Sequence, residues 1–240
     1  MDGTILDSES MYHKIVKEVC ANHKKKYTKE MESHVNGIWA ANTDPAAIGS
    51  GDASIRGATD EEVCKYLVKE FDLNMSPEQL EREIGDVSRV KLPQSPLKKG
   101  AERLLKHLHE TGVPLALATN STRRSVRLNA AVKPKIFNLF HHIVCASDPG
   151  IDRGKPHPDI YLMAANKFPG SPKPAKCLVF EDSNVGLEAA YAAGMQVVMT
   201  PSFRMPPEYA RKATLILKSL LDFKPENFGL PPYCRKAGSP

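Results

Sequence analysis

With 240 residues, 41% of them hydrophobic and 25% charged, the chain has the composition of a globular protein that can bury a core in one or two domains. A net charge of +5 is too small and too dispersed to mark a nucleic-acid-binding surface, and no stretch reaches the roughly 20 apolar residues of a membrane span. The five cysteines, odd in number and without a Cys-x-x-Cys pair, argue against a disulfide framework or a structural zinc site; the expectation is a cytoplasmic monomer with reduced thiols and no signal peptide.

From Ser8 to about His23 the apolar residues Met11, Ile15, Val16, Val19 and Cys20 recur at helical spacing. Lys24-Lys25-Lys26 then reads as a solvated helix end. Val63, Leu67, Val68 and Phe71 repeat the helical pattern. The stretch "NMSPEQLEREIGDV" opens a further helix with Ser76 as N-cap, Pro77 at the first position and Gln79 three residues after the cap. No strand is predicted between Ser8 and Val90. Within this block, residues 38–58 are rich in Ala, Gly, Asp and Ser without a clear period, and read as an irregular loop.

After Pro96 the pattern changes. "KGAERLLKHLHETG" predicts a helix closed by Gly112, leading into the short apolar run "VPLALATNS" of a buried parallel strand. A helical stretch, "HHIVCASD", helix "PDIYLMAANKF", strand "CLVFED", helix "VGLEAAYAAG" and strand "MQVVMT" follow. This alternation predicts a doubly wound, mostly parallel, Rossmann-like α/β sheet. The helical block near its start predicts an inserted α-helical cap. The expected division is an α/β core of residues 1–7 and 91–240 with a cap of residues 8–90.

In such sheets ligands gather at the carboxyl ends of the strands. Those ends carry Thr119, Asn120 and Ser121, then Lys155 in "RGKPHPD", then Glu181 and Asp182, with Asp2 and Gly3 of "MDGT" at the expected end of the first strand. Carboxylates on one rim form a hard oxygen site suited to Mg²⁺. A lysine and a threonine hydroxyl beside them supply charge and a donor for phosphoryl oxygens. Two other features are set aside. "GIDRGKP" is one residue short of a P-loop and ends in Pro156, and His107, His109, His141 and His142 lack the spacing of a metal site.

"MDGT", "ATNS", "GKPHPD" and "VFEDS" resemble, in order, the four motifs of the haloacid dehalogenase superfamily of phosphohydrolases. "KCLVFEDSNVGLEAAYAAGMQVVM" and "KATLILKSLLDFKPENFGLPPY" resemble the branch that dephosphorylates pseudouridine 5'-phosphate. The resemblance implies a Mg²⁺-dependent phosphomonoesterase acting on a small phosphorylated metabolite, nucleotide-like or sugar, through a phospho-aspartyl intermediate. It implies Asp2 as acid/base, with its main-chain carbonyl lent to the metal. Thr119 and Lys155 would hold the phosphoryl group with Gly3, Asn120 and Ser121. Asp182, supported by Glu181, would bind Mg²⁺.

The motif of this superfamily reads Asp-x-Asp-Gly-Thr, and its first aspartate, the nucleophile, falls two positions before Asp2, where this sequence has no residue. The apolar residues of the first core strand are absent as well. Two alternatives therefore stand beside the phosphatase: an inactive form that lacks the nucleophile, and a sugar-phosphate phosphatase or phosphoglucomutase of the same fold. The stretch between Val35-Asn36-Gly37 and Arg56 departs from the resemblance too, and with the missing start it suggests an altered transcript.

Overall fold

The computed structural model describes residues 1–42, 55–202 and 205–234. Four helices follow the first turn: α1 (Ser8–Asn22), α2 (Lys29–Asn42), α3 (Ile55–Phe71) and α4 (Pro77–Lys91). Asp7 caps α1 by accepting from the Ser10 amide. Ser76 and Gln79 form the reciprocal capping box expected at the start of α4, which satisfies two otherwise orphaned amides. The apolar faces meet in one cluster. Ile15, Val16 and Val19 of α1 pack with Val35 of α2, Val63 and Leu67 of α3, and Leu80 and Ile84 of α4.

The loop expected over residues 38–58 is helical at both ends. Helix α2 runs on through Asn42 and α3 begins at Ile55. Ala40 and Ala41 carry no helix-breaking feature, so the sequence allows α2 to run this far. Residues 43–54 lie outside the described residues.

The α/β part begins with α5 (Ala101–Glu110), closed as expected by Gly112 at φ +75°. There follow β1 (Ala116–Thr119), α6 (Arg123–Val132), α7 (Pro134–Phe137), β2 (His142–Cys145), α8 (Asp159–Asn166), β3 (Leu178–Glu181), α9 (Asn184–Ala192), β4 (Gln196–Met199), α10 (Pro207–Ala210) and β5 (Leu215–Ile216). Every ladder is parallel. Strand β1 pairs with β2 from Ala116–His142 to Thr119–Cys145, and β4 lies between β3 and β5.

Successive strand residues point to opposite faces, and the core divides accordingly. Leu117, Cys145 and Val198 join α5, α6 and α7 on one side. Val144, Val197 and Met199 join α8 and α9 on the other. This is the doubly wound arrangement predicted from the alternation of elements.

Among the described residues, the two sheets share no ladder. Residues 1–6 form a turn in which the Ile5 and Leu6 amides donate to the Met1 carbonyl and the Gly3 amide donates to that of Leu6. Met1, Ile5 and Leu6 are buried in the same cluster as Leu117 and Val198. No described helix is long and apolar enough to cross a membrane. His107, His109, His141 and His142 each bond a backbone group, which gives them structural roles.

The C-terminal segment completes the first side of the core. Phe223, 1% exposed, meets Phe180 of β3 edge-on at 4.9 Å and stacks on Phe228 at 5.4 Å. Arg103 of α5 lies 4.2 Å over the ring of Tyr233. Phe223→Ala is expected to cost about 3–5 kcal/mol through lost burial and the cavity left behind. Urea denaturation should show the lower midpoint with an unchanged slope.

Candidate active site

The carboxyl ends of β1 and β3, the loop after β2 and the first turn of the chain converge on one rim. Thr119 ends β1 and is buried, its Oγ1 accepting from the Ser121 amide at 3.1 Å. Asn120 Oδ1 accepts from the Lys155 amide at 3.4 Å, which joins the loops after β1 and β2. A second tie runs beneath them. Arg123, at the start of α6, donates to Asp148 and to the Ile143 carbonyl, while Asp148 also accepts from the Cys145 amide at 2.9 Å.

Lys155 is buried and points at Glu181, with Nζ 2.5 Å from Oε1 and 3.3 Å from the Ala118 carbonyl. Glu181 is engaged on both oxygens. Oε1 also accepts from the Tyr161 hydroxyl at 2.5 Å, and Oε2 accepts from the Asp182 amide, the Ser183 amide and the Ser183 hydroxyl. Ser183 is the N-cap of α9, so the carboxylate lies against a helix start, where negative charge is favoured. A glycine makes the approach possible: a Cβ on Gly186 would lie 2.0 Å from Glu181 Cδ.

The turn at residues 2–4 reaches both sheets. Ser121 Oγ donates to Asp2 Oδ2 at 2.7 Å, and Thr4 Oγ1 donates to Asp182 Oδ1 at 2.5 Å. Gly3 lies directly beneath Asp182 at φ +75°, and a Cβ there would fall 1.9 Å from Oδ2. No other residue fits this position: φ is left-handed and the side-chain space is already taken by a carboxylate.

A family model described as haloacid dehalogenase-like hydrolase matches residues 1–194. The chain belongs to the haloacid dehalogenase-like hydrolases. A Drosophila melanogaster protein described as "Probable pseudouridine-5'-phosphatase" is 41% identical over 234 residues, 97% of this chain and 93% of the relative. The (DL)-glycerol-3-phosphatase 1 of Arabidopsis thaliana is 35% identical over 236 residues, 97% of this chain and 72% of that protein. Among solved structures, a family hydrolase from Deinococcus radiodurans, crystallised with phosphate and sodium, is 25% identical with a TM-score of 0.72, covering 97% of this chain and 95% of that one.

In this member of the hydrolases, Asp2, Thr119, Asn120, Ser121, Lys155, Glu181 and Asp182 are brought together on one rim by the bonds just described, and Gly3 lies against Asp182. Thr4, Tyr161, Ser183 and Gly186 complete it and were not singled out from the sequence. Tyr161 falls inside the helix "PDIYLMAANKF", whose sequence carries no signal that ties this ring to Lys155 or Glu181.

The proton affinities of the two adjacent carboxylates are shifted in opposite directions. Burial raises the Glu181 carboxyl, but the charge and hydrogen bond of Lys155, with the Tyr161 bond, outweigh it and hold the group well below its ordinary range. Burial and the neighbouring Glu181 charge push Asp182 up from 3.8 to about 6, with Thr4 and Lys155 only partly opposing. The Tyr161 phenol, buried beside Glu181, is held well above its ordinary value and stays a donor.

A half-buried carboxylate whose proton affinity is raised in this way suits a cation that would stabilise its charge. Among the described residues no three His, Cys, Asp or Glu side chains form a metal cage. Mg²⁺ takes one or two carboxylates and completes its shell with waters and phosphate. The residues fit the ion with Asp182 and Asp2 as holders, while the oxygens of Glu181 are committed to protein donors.

Gly186→Ala is expected to cost about 3 kcal/mol, because Glu181 has nowhere to retreat. Gly85→Ala in α4, where a Cβ meets nothing within 4 Å, should instead stabilise by about 0.5–1 kcal/mol. Urea melts of both variants check the contrast.

Because the folded-state value of Asp182 lies above its unfolded value, the native chain binds the extra proton between about pH 4 and 6. Its contribution therefore falls as pH rises through that window. Glu181, shifted the other way, contributes stability above its ordinary value that is lost at lower pH. In urea melts without metal between pH 5 and 7, the stability of Asp182→Asn should rise relative to wild type as pH increases. Parallel curves would contradict the assignment.

Proposed function

We propose that this rim belongs to a Mg²⁺-dependent phosphomonoesterase for a small phosphorylated metabolite, nucleotide-like or sugar, such as pseudouridine 5'-phosphate. The observation that carries this reading is the joining of half-buried Asp2 and Asp182 with buried Lys155 and Glu181 on one rim. Support for the substrate class comes from the relatives, one described as a pseudouridine-5'-phosphatase and another as a glycerol-3-phosphatase.

In this mechanism an aspartate two positions before Asp2, outside the 240 residues, attacks phosphorus and becomes the phospho-aspartyl intermediate. A carboxylate nucleophile divides hydrolysis into two easier displacements. Asp2, held by the Ser121 hydroxyl, gives its proton to the leaving oxygen and later takes one from the attacking water. Thr119 and the loop Asn120–Ser121 receive the phosphoryl oxygens. Lys155 neutralises the charge that develops on them, in a position fixed by Glu181. Asp182 and the main-chain carbonyl of Asp2 would hold Mg²⁺, which shields the phosphoryl charge from the nucleophile. Helices α1–α4 would act as the cap over the rim. The five cysteines, all free thiols, suit a reducing compartment such as the cytoplasm.

A second reading is a protein that binds phosphate and Mg²⁺ on this rim without turnover. One assay separates the two. The 240-residue chain is compared with a version extended at its start by an apolar strand and an Asp-x step, using pseudouridine 5'-phosphate and glycerol 3-phosphate with Mg²⁺. The extended version should hydrolyse a phosphomonoester and lose that activity on Asp182→Asn. The 240-residue chain should be slower by several orders of magnitude, the usual scale for a missing nucleophile. Equal rates would refute the covalent mechanism, and no turnover by either version would favour the binding protein.

A further inference from the structure

The mechanism leaves unused one buried polar group that touches its machinery, the hydroxyl of Tyr161. Tyr161 is 6% exposed and lies in the first turn of α8, its ring packed in the cluster that holds Ile160, Ala164 and Val179. Its hydroxyl donates to Glu181 Oε1 at 2.5 Å, the oxygen that also accepts from Lys155. The Lys155 ammonium lies 4.8 Å from the centre of the same ring. One side chain therefore meets both members of the ion pair: its edge holds the carboxylate and its face receives the cation, an attractive arrangement when water is excluded.

Glu181 Oε2 is fixed by three donors from the backbone and side chain just after β3, so the carboxylate is anchored there. Oε1 is the end that sets where Lys155 stands, and Lys155 and Tyr161 are its two donors. Without the hydroxyl, Oε1 loses the donor that fixes it beside Lys155, and the carboxylate end that sets where the ammonium stands is held less firmly. The ring alone would still fill its space.

We infer that Tyr161 is a positioning residue for phosphate capture: through Glu181 and its own ring it holds the Lys155 ammonium on the rim where a phosphoryl oxygen arrives. The inference rests on the phosphohydrolase reading of that rim. It concerns binding, so it is tested on the 240-residue chain without reference to turnover.

The experiment is calorimetric titration of inorganic phosphate in the presence of Mg²⁺, and of Mg²⁺ alone, into wild type, Tyr161→Phe, Lys155→Ala and the double variant. Tyr161→Phe should weaken phosphate binding about three- to tenfold, the scale of one hydrogen bond, and change Mg²⁺ binding by less than twofold. Lys155→Ala should weaken phosphate more strongly, and adding Tyr161→Phe to it should do nothing further. A purely structural tyrosine would lower the melting temperature while leaving phosphate affinity unchanged, and that result overturns the inference. An equal loss from Tyr161→Phe in both backgrounds overturns it too, since the effect would not pass through Lys155. Full phosphate affinity in Lys155→Ala would instead sink the phosphohydrolase reading of the rim, as would a wild-type chain that binds no phosphate; either takes the inference with it. Should Tyr161→Phe not fold, the Tyr161 hydroxyl proton of the wild type serves in its place. Its downfield resonance should move on adding phosphate, and an unmoved resonance overturns the inference.

Discussion

The site depends on a buried contact between two opposite charges, Lys155 and Glu181, each with less than a tenth of its surface exposed. Such a pair is costly to desolvate and holds only where further hydrogen bonds satisfy what the partners do not. Here the carboxylate receives five donors in all. Much of the local architecture follows from that requirement. The start of α9 must present its amides and the Ser183 hydroxyl, Gly186 must lack a side chain, and the loop after β2 must bring Lys155 across to β3. The Asn120 bond to the Lys155 amide then draws the end of β1 into the same network.

Glu181 and Asp182 are neighbours in sequence and chemically alike, yet the fold treats them differently. One is surrounded by donors and stays ionised. The carboxyl of the other accepts from the Thr4 hydroxyl, faces the charge of the first, and holds its proton more readily. Two carboxylates whose environments push their proton affinities apart commonly serve different tasks. The ionised one is bonded to a lysine, and the other is the group that an external cation would hold in its charged form under the proposed function. A single peptide bond separates structural charge from chemical charge.

The order of elements was legible in the sequence because periodicity and punctuation are local. The capping box at Ser76, the glycine closure at Gly112 and the apolar runs of β1 to β4 all act within a few residues. The rim residues were legible as strand ends carrying polar groups, a pattern that needs only the order of elements. The contacts that make the rim work were not. Whether Tyr161 is a core ring or a donor to Glu181 depends on two segments 20 residues apart. Nothing near Gly186 in the sequence tells that a carboxylate occupies its side-chain space. The short β5 and the aromatic packing of Phe223 on Phe180 also escaped notice, since two-residue strands and tertiary ring pairs leave no period. The ends of α2 and α3 were hidden by a composition of small and polar residues that favours neither helix nor loop strongly.

The turn at residues 2–4, with its bonds to Ser121 and Asp182, lies at a seam, because β1–β2 and β3–β4–β5 share no ladder of their own. Opening free energy varies across a protein, and it is low where few backbone bonds cross between cooperative units. The two sheets are joined by the packing on both faces and, at this corner, by the turn. Ligands bound there would draw on the same bonds, so their binding and the stability of this corner would be linked.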